Sequence, residues 1–164
     1  MGEFMAEREV IHKVRDRFSS ALADSQVFRD EITLIIQKNA MMEILRYLRD
    51  ELDFELLTDL CGVDRFPKHP RYEVVYHLCS LKRNDRVRVK VSLQDGEAIP
   101  SVECLWNSAN WYERETFDML GIVFENHSNL KRILLWDEFD GHPLRKDFPT
   151  EGKDFEEPVL PDTS

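Results

Sequence analysis

The segment YEVVYHLCSLKRNDRVRVKVSL, residues 72–93, predicts two neighbouring antiparallel strands joined by a tight turn. Its second half alternates apolar with basic side chains, Val87, Val89, Val91 and Leu93 against Arg86, Arg88 and Lys90. A period of two places the first set in the core and the second on the opposite face of a sheet. Asn84 and Asp85 suit the turn between the strands. The basic row can be a solvated face or a contact with a partner, and the sequence leaves both open.

The chain before this hairpin predicts a helix, a strand, a second helix and another strand. Apolar residues recur at helical spacing through residues 6–22, and a strand-like stretch follows at residues 28–36. Asn39 can cap the second helix, with Glu43 in the position that supports such a cap. Residues 54–63 are apolar enough for a strand buried on much of both faces.

The chain after the hairpin predicts a third helix over about residues 108–121. Asn110 and Glu113 have the spacing of a capping box, and Arg114 and Asp118 can pair at positions i and i+4. Apolar residues lie on two faces of this helix, so we expect it to be covered on both sides.

Regular structure thins out beyond the third helix. Residues 133–136 can form a short strand, but Gly141, Pro143 and Pro149 exclude a long helix or a central strand. The predicted fold class is therefore α+β, with a mixed, largely antiparallel sheet, helices packed on it, and an extended C-terminal arm. We expect the α+β domain over residues 6–136 and an extended docking arm with an acidic tail over residues 137–164.

The composition argues against several classes of function. The 164 residues carry a net charge of -10, which disfavours binding to nucleic acid. Cys61, Cys79 and Cys104 are scattered and form no C-x-x-C, so we expect three buried thiols rather than an iron–sulfur or structural zinc site. The sequence contains no phosphate-binding loop and no dinucleotide fingerprint.

Candidate catalytic groups are present but do not form a recognisable active site. His127 and His142, with carboxylates nearby, offer enough ligand atoms for a metal, but their spacing fits no common motif. Glu113 and Glu115 fall on different helix faces, and Asp147 near His142 has no nucleophile in a suitable context. We therefore predict no catalytic, cofactor-binding or metal-binding residue in this chain.

The arm carries the remaining candidate function. Residues 145–149, RKDFP, combine a forked donor, a point charge, an acid and an aromatic side chain on a backbone stiffened by proline. Such residues are common at the centres of protein interfaces. The arm can dock on a partner or lie over its own core, and composition alone does not separate these alternatives.

The third helix and the arm carry a series of motifs: Glu113-Arg114-Glu115, Asp118-Met119-Leu120-Gly121, His127, Arg132-Ile133-Leu134 and the closing GHPLRKDFP of residues 141–149. Together these motifs resemble the C subunit of respiratory complex I, the bacterial NADH:quinone oxidoreductase NDH-1, also known as the 30 kDa subunit family. The resemblance covers most of the chain. Ser128 and Phe139 depart from the family pattern, which commonly has Pro and Trp there, and both departures concern the rigidity of loops.

The resemblance implies a non-catalytic subunit of the peripheral arm of this complex. The activity, electron transfer from NADH to quinone (ubiquinone in many respiratory chains) coupled to proton translocation, would belong to the complex. FMN and iron–sulfur clusters would lie in partner subunits, with none bound by this chain. The implied partners are subunits D, B and I, with membrane contact only through the complex, on the cytoplasmic side of the inner (plasma) membrane.

The same resemblance places the subunit interface on the third helix and the arm. The predicted interface residues are Glu113, Arg114, Glu115, His127, Arg132, His142, Arg145, Lys146, Asp147 and Phe148. An equivalent subunit of a ferredoxin- or F420-linked dehydrogenase, or of a membrane-bound nickel–iron hydrogenase, is the alternative. A free-standing metal-dependent enzyme that uses His127 and His142 is a third hypothesis.

Overall fold

A computed structural model describes residues 3–29 and 31–151, and from residue 9 onwards it also describes their side chains. The helices are α1 (Glu3–Phe18), α2 (Met41–Asp50) and α3 (Ala109–Leu120). The strands are β1 (Leu22–Phe28), β2 (Glu31–Ile36), β3 (Leu56–Asp64), β4 (Tyr72–Ser80), β5 (Asp85–Leu93), β6 (Ile99–Pro100) and β7 (Phe124–Glu125). Most of the predicted acidic tail, residues 152–164, lies outside the described residues.

The main sheet has five strands in the order β1-β2-β5-β4-β3. Strands β2 and β5 are parallel, and the other three pairings are antiparallel. Strands β6 and β7 form a separate parallel pair. The prediction of a mixed, largely antiparallel α+β fold is confirmed.

One face of the main sheet carries the core, as the alternation in β5 predicts. Val87, Val89 and Val91 lie opposite Leu78, Tyr76 and Val74 of β4, and all six side chains are buried. Buried side chains of α1 and α2 join the same core: Val10, Val14, Met41, Ile44, Leu45 and Leu48.

Helix α3 packs on this face of the sheet over β3, and a glycine makes the contact possible. A Cβ atom on Gly62 would lie 2.5 Å from Cδ1 of Leu120 and 2.9 Å from Cγ2 of Thr116. The absence of a side chain at Gly62 therefore sets how closely α3 approaches the strand. This approach fixes the position of the charged residues on α3.

The opposite face of the sheet carries the basic row. The guanidinium of Arg88 donates to Glu31 at 2.6 Å, and the ammonium of Lys90 lies 3.2 Å from Glu73. Half-buried or exposed groups share this face in β3 and β4, namely Asp59, Cys61, His77 and Cys79. We call it the open face.

The N-terminal predictions need two corrections. The helix predicted over residues 6–22 ends at Phe18, and β1 follows where no strand was predicted. Strand β1 is mostly exposed, so its sequence, LADSQVF, lacks the apolar alternation of a half-buried strand. The predicted cap at Asn39 is also wrong, because a 3₁₀ turn over Lys38–Ala40 leads into α2 and Ala40 occupies the N-cap position.

Two further predictions are wrong. Residues 133–136 form no strand, because the N–H groups of residues 133–135 donate to a carboxylate of α3 instead of a neighbouring strand. The cysteines are not all buried, since Cys61 and Cys79 are half-buried on the open face and Cys104 is exposed.

Candidate functional site

Glu113 is the first of two fully buried carboxylates on α3. It accepts hydrogen bonds from the hydroxyl of Ser101 at 2.6 Å and the N–H of Val102 at 2.7 Å. Burial raises the pKa of Glu113, and these two donors offset only part of the rise. The predicted capping box is wrong, because α3 begins at Ala109 and Asn110 donates to Glu103.

Asp118 is the second fully buried carboxylate. One oxygen accepts three N–H donors, those of Ile133, Leu134 and Leu135, at 2.9–3.0 Å. The other oxygen accepts from Arg132 at 2.7 Å. Burial alone would raise the pKa of Asp118, but these donors lower it to about 2.

The predicted pair of Arg114 with Asp118 does not form. Arg114 donates instead to the backbone carbonyls of Lys131 and Arg132 at 3.1 and 3.0 Å. Arg132, which binds Asp118, also donates to the carbonyls of Phe139 and Gly141. Two arginines and one aspartate therefore hold residues 131–141 against α3.

The hydrogen-bond partners of His127 indicate which ring nitrogen donates and which accepts. Nε2 lies 3.1 Å from the carbonyl oxygen of Asn110, so it carries the proton, while Nδ1 accepts the N–H of Asn129 at 2.9 Å. His142 binds a carbonyl eight residues further along α3, about 12 Å away at the rise of an α-helix. The two histidines therefore do not form the metal site of the third hypothesis.

The arm closes the C-terminal end of α3. Three successive backbone carbonyls accept hydrogen bonds from it: Asp118 from Nδ1 of His142 at 2.8 Å, Met119 from the N–H of Leu144 at 3.1 Å, and Leu120 from Nε of Arg145 at 2.8 Å. These carbonyls have no partner within the helix, and the cation of Arg145 also favours the negative end of the helix dipole. Burial lowers the pKa of His142, which keeps its ring neutral.

Gly121 allows the arm to approach this closely. Its φ of +77° is in the left-handed region, which suits the residue after a helix. A Cβ atom there would lie 2.6 Å from Cδ2 of His142 and 2.9 Å from Nη2 of Arg145. A side chain at this position would push the arm off the helix.

Arg71 anchors the next part of the arm, and no sequence pattern indicated this role. It makes two hydrogen bonds to Asp64, at 2.9 and 3.1 Å, and binds Asp147 of the arm at 2.6 Å and Asp95 at 2.9 Å. Asp64 also accepts the N–H of Lys146 at 2.9 Å. Burial would raise the pKa of Asp64, but these donors hold it at about 2, while Asp64 first and then Asp147 raise the pKa of Arg71.

The arm therefore lies over its own domain, one of the two alternatives left open by the sequence. The ring of Phe148 stacks on that of Phe139 at 6.0 Å and covers Gly141. Among the ten predicted interface residues, the side chains of Glu113 and His127 are fully buried, while Glu115, Lys146 and Asp147 are exposed. The assignment of these residues to a subunit interface stays a prediction.

Four large apolar side chains remain exposed around α3 and the arm. They are Trp111, Leu134, Trp136 and Leu144, each between 53% and 63% exposed. The ring of Trp111 lies against Arg114, Leu134 binds Asp118 through its N–H, Trp136 contacts Phe139, and Leu144 binds Met119. We call these four residues the apolar surface. Backbone hydrogen bonds at Leu134 and Leu144 and ring contacts at Trp111 and Trp136 thus tie these residues to the rest of the domain.

Comparison with known proteins identifies the family of this chain. Residues 34–154 match the family described as "Respiratory-chain NADH dehydrogenase, 30 Kd subunit". Two bacterial relatives are each named as the C subunit of NADH-quinone oxidoreductase. That of Citrifermentans bemidjiense is 47% identical over 93% of this chain and 96% of its own length, and that of Geobacter sulfurreducens is 42% identical over 93% and 96%.

Solved structures agree with this match. A trypsin-resistant fragment of Nqo5 superposes with a TM-score of 0.67 at 28% identity, covering 75% of this chain and 98% of the fragment. A chain of a membrane-bound sulfane sulfur reductase, an archaeal respiratory complex, gives 0.75 at 25% identity, covering 87% and 85%. The chain belongs to the 30 kDa subunit family of respiratory-chain NADH dehydrogenase, and its curated relatives favour this over the ferredoxin-, F420- or hydrogenase-linked alternative.

No helix among residues 3–29 and 31–151 is both long and apolar enough to cross a membrane.

Proposed function

We propose that this chain is a scaffolding subunit of an NADH:quinone oxidoreductase and has no active site or cofactor of its own. In this proposal, it joins the peripheral arm on the cytoplasmic side of the membrane and contacts subunits D, B and I. FMN and the iron–sulfur clusters belong to partner subunits. The chain contributes to electron transfer and proton translocation by holding those partners in place.

The apolar surface is the observation that carries this proposal. Tryptophan is enriched at the energetic centres of protein interfaces, and exposed apolar surface is a feature of interaction sites. Here Leu134 and Trp136 lie on a segment that Asp118, Arg114 and Arg132 bind to α3, and Leu144 is bound to the last turn of α3. A rigid surface loses little conformational entropy when it binds a partner. The internal bonds of the arm thus favour docking by the neighbouring apolar side chains rather than by the arm's own charges.

Replacement of two of these side chains tests the proposal. We expect the double variant Leu134→Ser/Leu144→Ser to fold normally, because both side chains are more than 60% exposed. It should fail to copurify with the other peripheral-arm subunits when it replaces the wild-type chain in cells. Circular dichroism and thermal unfolding of the isolated chain measure folding, and subunit copurification with NADH:quinone activity measures assembly.

A matched control lies elsewhere on the molecule. Phe28 in β1 and Leu81 after β4 are 71% and 68% exposed, so Phe28→Ser/Leu81→Ser removes similar apolar area away from the arm. We expect this control to assemble normally. Normal assembly of the Leu134/Leu144 variant, or equal loss in the control, would contradict docking by the apolar surface.

A further inference from the structure

Three potential metal ligands converge on the open face of the sheet, and none of them belongs to the motifs of the family resemblance. Asp59 and Cys61 lie on β3, and His77 lies on β4. A carboxylate oxygen, the thiol sulfur and a ring nitrogen of these residues all lie within 4.8 Å of one another. Although the sequence alone predicted no metal-binding residue in this chain, we propose that Asp59, Cys61 and His77 bind a divalent transition metal ion of the zinc type.

The strand register explains why the three side chains meet. Asp59 lies directly opposite His77, and Cys61, two residues further along β3, projects from the same face. An irregularity in the pairing between Leu57 and Asp59 precedes the group. Such a bulge shifts the direction of the side chains that follow it. Two paired strands therefore supply a rigid base for the ligands.

The donor set suits zinc more than calcium or magnesium. A thiolate and an imidazole are the ligands that zinc and similar ions prefer, and a carboxylate is a common third ligand. Asp59 and His77 also line an open groove of about 220 Å³, together with Thr58, Arg86 and Arg88. Three protein ligands beside open space leave a fourth position for water or for a side chain of a partner.

Neighbouring charges decide whether a cation can enter. Arg88 faces His77 from β5, and Lys90 lies on the same face, but Glu31 and Glu73 respectively bind these two cations. The negative charge of Glu115 on α3 also interacts electrostatically with Cys61. Acidic groups therefore offset Arg88 and Lys90, while Arg86 is a further basic side chain that lines the groove.

Cobalt substitution provides a direct test on the purified full-length chain. Co²⁺ should bind with one-to-one stoichiometry and give visible bands of tetrahedral coordination together with a thiolate-to-metal charge-transfer band. Added Zn²⁺ should displace it and bleach both. We expect Cys61→Ser and His77→Ala to abolish these bands and to weaken Zn²⁺ binding, measured by calorimetry, by at least about tenfold, the scale of losses seen even for indirect ligand contacts.

Two other cysteines provide the controls. Cys79 is on the same face two residues beyond His77, and Cys104 is exposed elsewhere. Cys79→Ser and Cys104→Ser should keep the cobalt spectrum of the wild type. Failure of the wild-type chain to give a thiolate band would overturn the proposal. So would a spectrum that survives Cys61→Ser, or one that Cys79→Ser removes.

Discussion

Glu113 and Asp118 are both fully buried carboxylates on one helix, yet their pKa values shift in opposite directions. Glu113 has two neutral donors, Ser101 and the N–H of Val102. Asp118 has three N–H donors and a guanidinium. Burial penalises the charge of both groups, but only Asp118 has enough donors to reverse the penalty.

The difference shows that the two carboxylates serve the fold differently. Asp118 depends on its charge, because four donors point at its two oxygens and would lose their partner if it were removed. Glu113 needs only its two acceptor positions. The charge of Asp118 therefore stabilises this protein, whereas burial disfavours the charged form of Glu113.

The largest effect is expected from Asp118→Asn. The amide keeps the size of the side chain but turns an N–H₂ group towards either Arg132 or the three backbone N–H groups. Breaking a buried ion pair in this way costs about 3–5 kcal/mol of unfolding free energy. Urea denaturation at pH 7 measures the loss, and Glu115→Gln, which removes an exposed charge from the same helix, should stay within about 0.5 kcal/mol of the wild type.

Acid unfolding provides the second measurement on Asp118. The pKa of about 2 in the folded state is below the ordinary value near 3.9, so Asp118 stabilises the wild type above about pH 4. That contribution is lost as the pH falls towards 2. Asp118→Asn should be less stable than the wild type at pH 7 and approach it in strong acid. A constant difference across this range would contradict the role given to its charge.

The sequence predicts single helices and strands far better than it predicts contacts between residues that are far apart along the chain. The alternation in β5 lies within one segment, so it identified both the strand and its buried face. Arg71 binds Asp147, which is 76 residues away in the sequence, and no pattern in either segment predicts the pair. Asp118 was assigned to Arg114, its neighbour along the helix, whereas its true partners begin 14 residues later.

The arm shows the same limit. The motif GHPLRKDFP is recognisable as functional in the sequence. The sequence alone allows it either to dock on a partner or to lie over its own core. Only the fold brings residues 142–145 to the last carbonyls of α3, because that requires the chain to return after Leu120. The residues of the motif alone therefore do not predict the hydrogen bonds that the motif makes with α3.

Gly121→Ala tests the closure beside Asp118 and should have an intermediate effect. The left-handed backbone costs a residue with a side chain about 1–2 kcal/mol, and the added methyl group also meets His142 at 2.6 Å. Gly96→Ala is a matched control, because Gly96 has almost the same φ, +76°, with nothing within 4 Å. We expect Gly121→Ala to lower the unfolding free energy by at least about 1 kcal/mol more than Gly96→Ala, the scale of an overpacked contact. Equal losses in urea denaturation would show that the arm does not press on the helix.

Glu113→Gln should have the smallest effect and sharpens the contrast with Asp118. The amide can accept from Val102 and donate to the hydroxyl of Ser101, so both hydrogen bonds can persist, and we expect a change of less than about 1 kcal/mol at pH 7. The pH profile is more informative. Because the pKa of Glu113 is raised in the folded state, this group favours folding below its ordinary pKa of about 4.3, and that advantage is lost as the pH rises through the raised value.

The stability of wild type relative to Glu113→Gln should therefore decrease as the pH rises above about 4, opposite in sign to the Asp118→Asn comparison. Urea denaturation of both variants from pH 3 to 8 measures the two slopes, with Glu115→Gln as the control for loss of one negative charge. If Glu113→Gln lost stability as severely as Asp118→Asn at pH 7, Glu113 would also depend on its charge. The number of donors would then not explain why the two carboxylates differ.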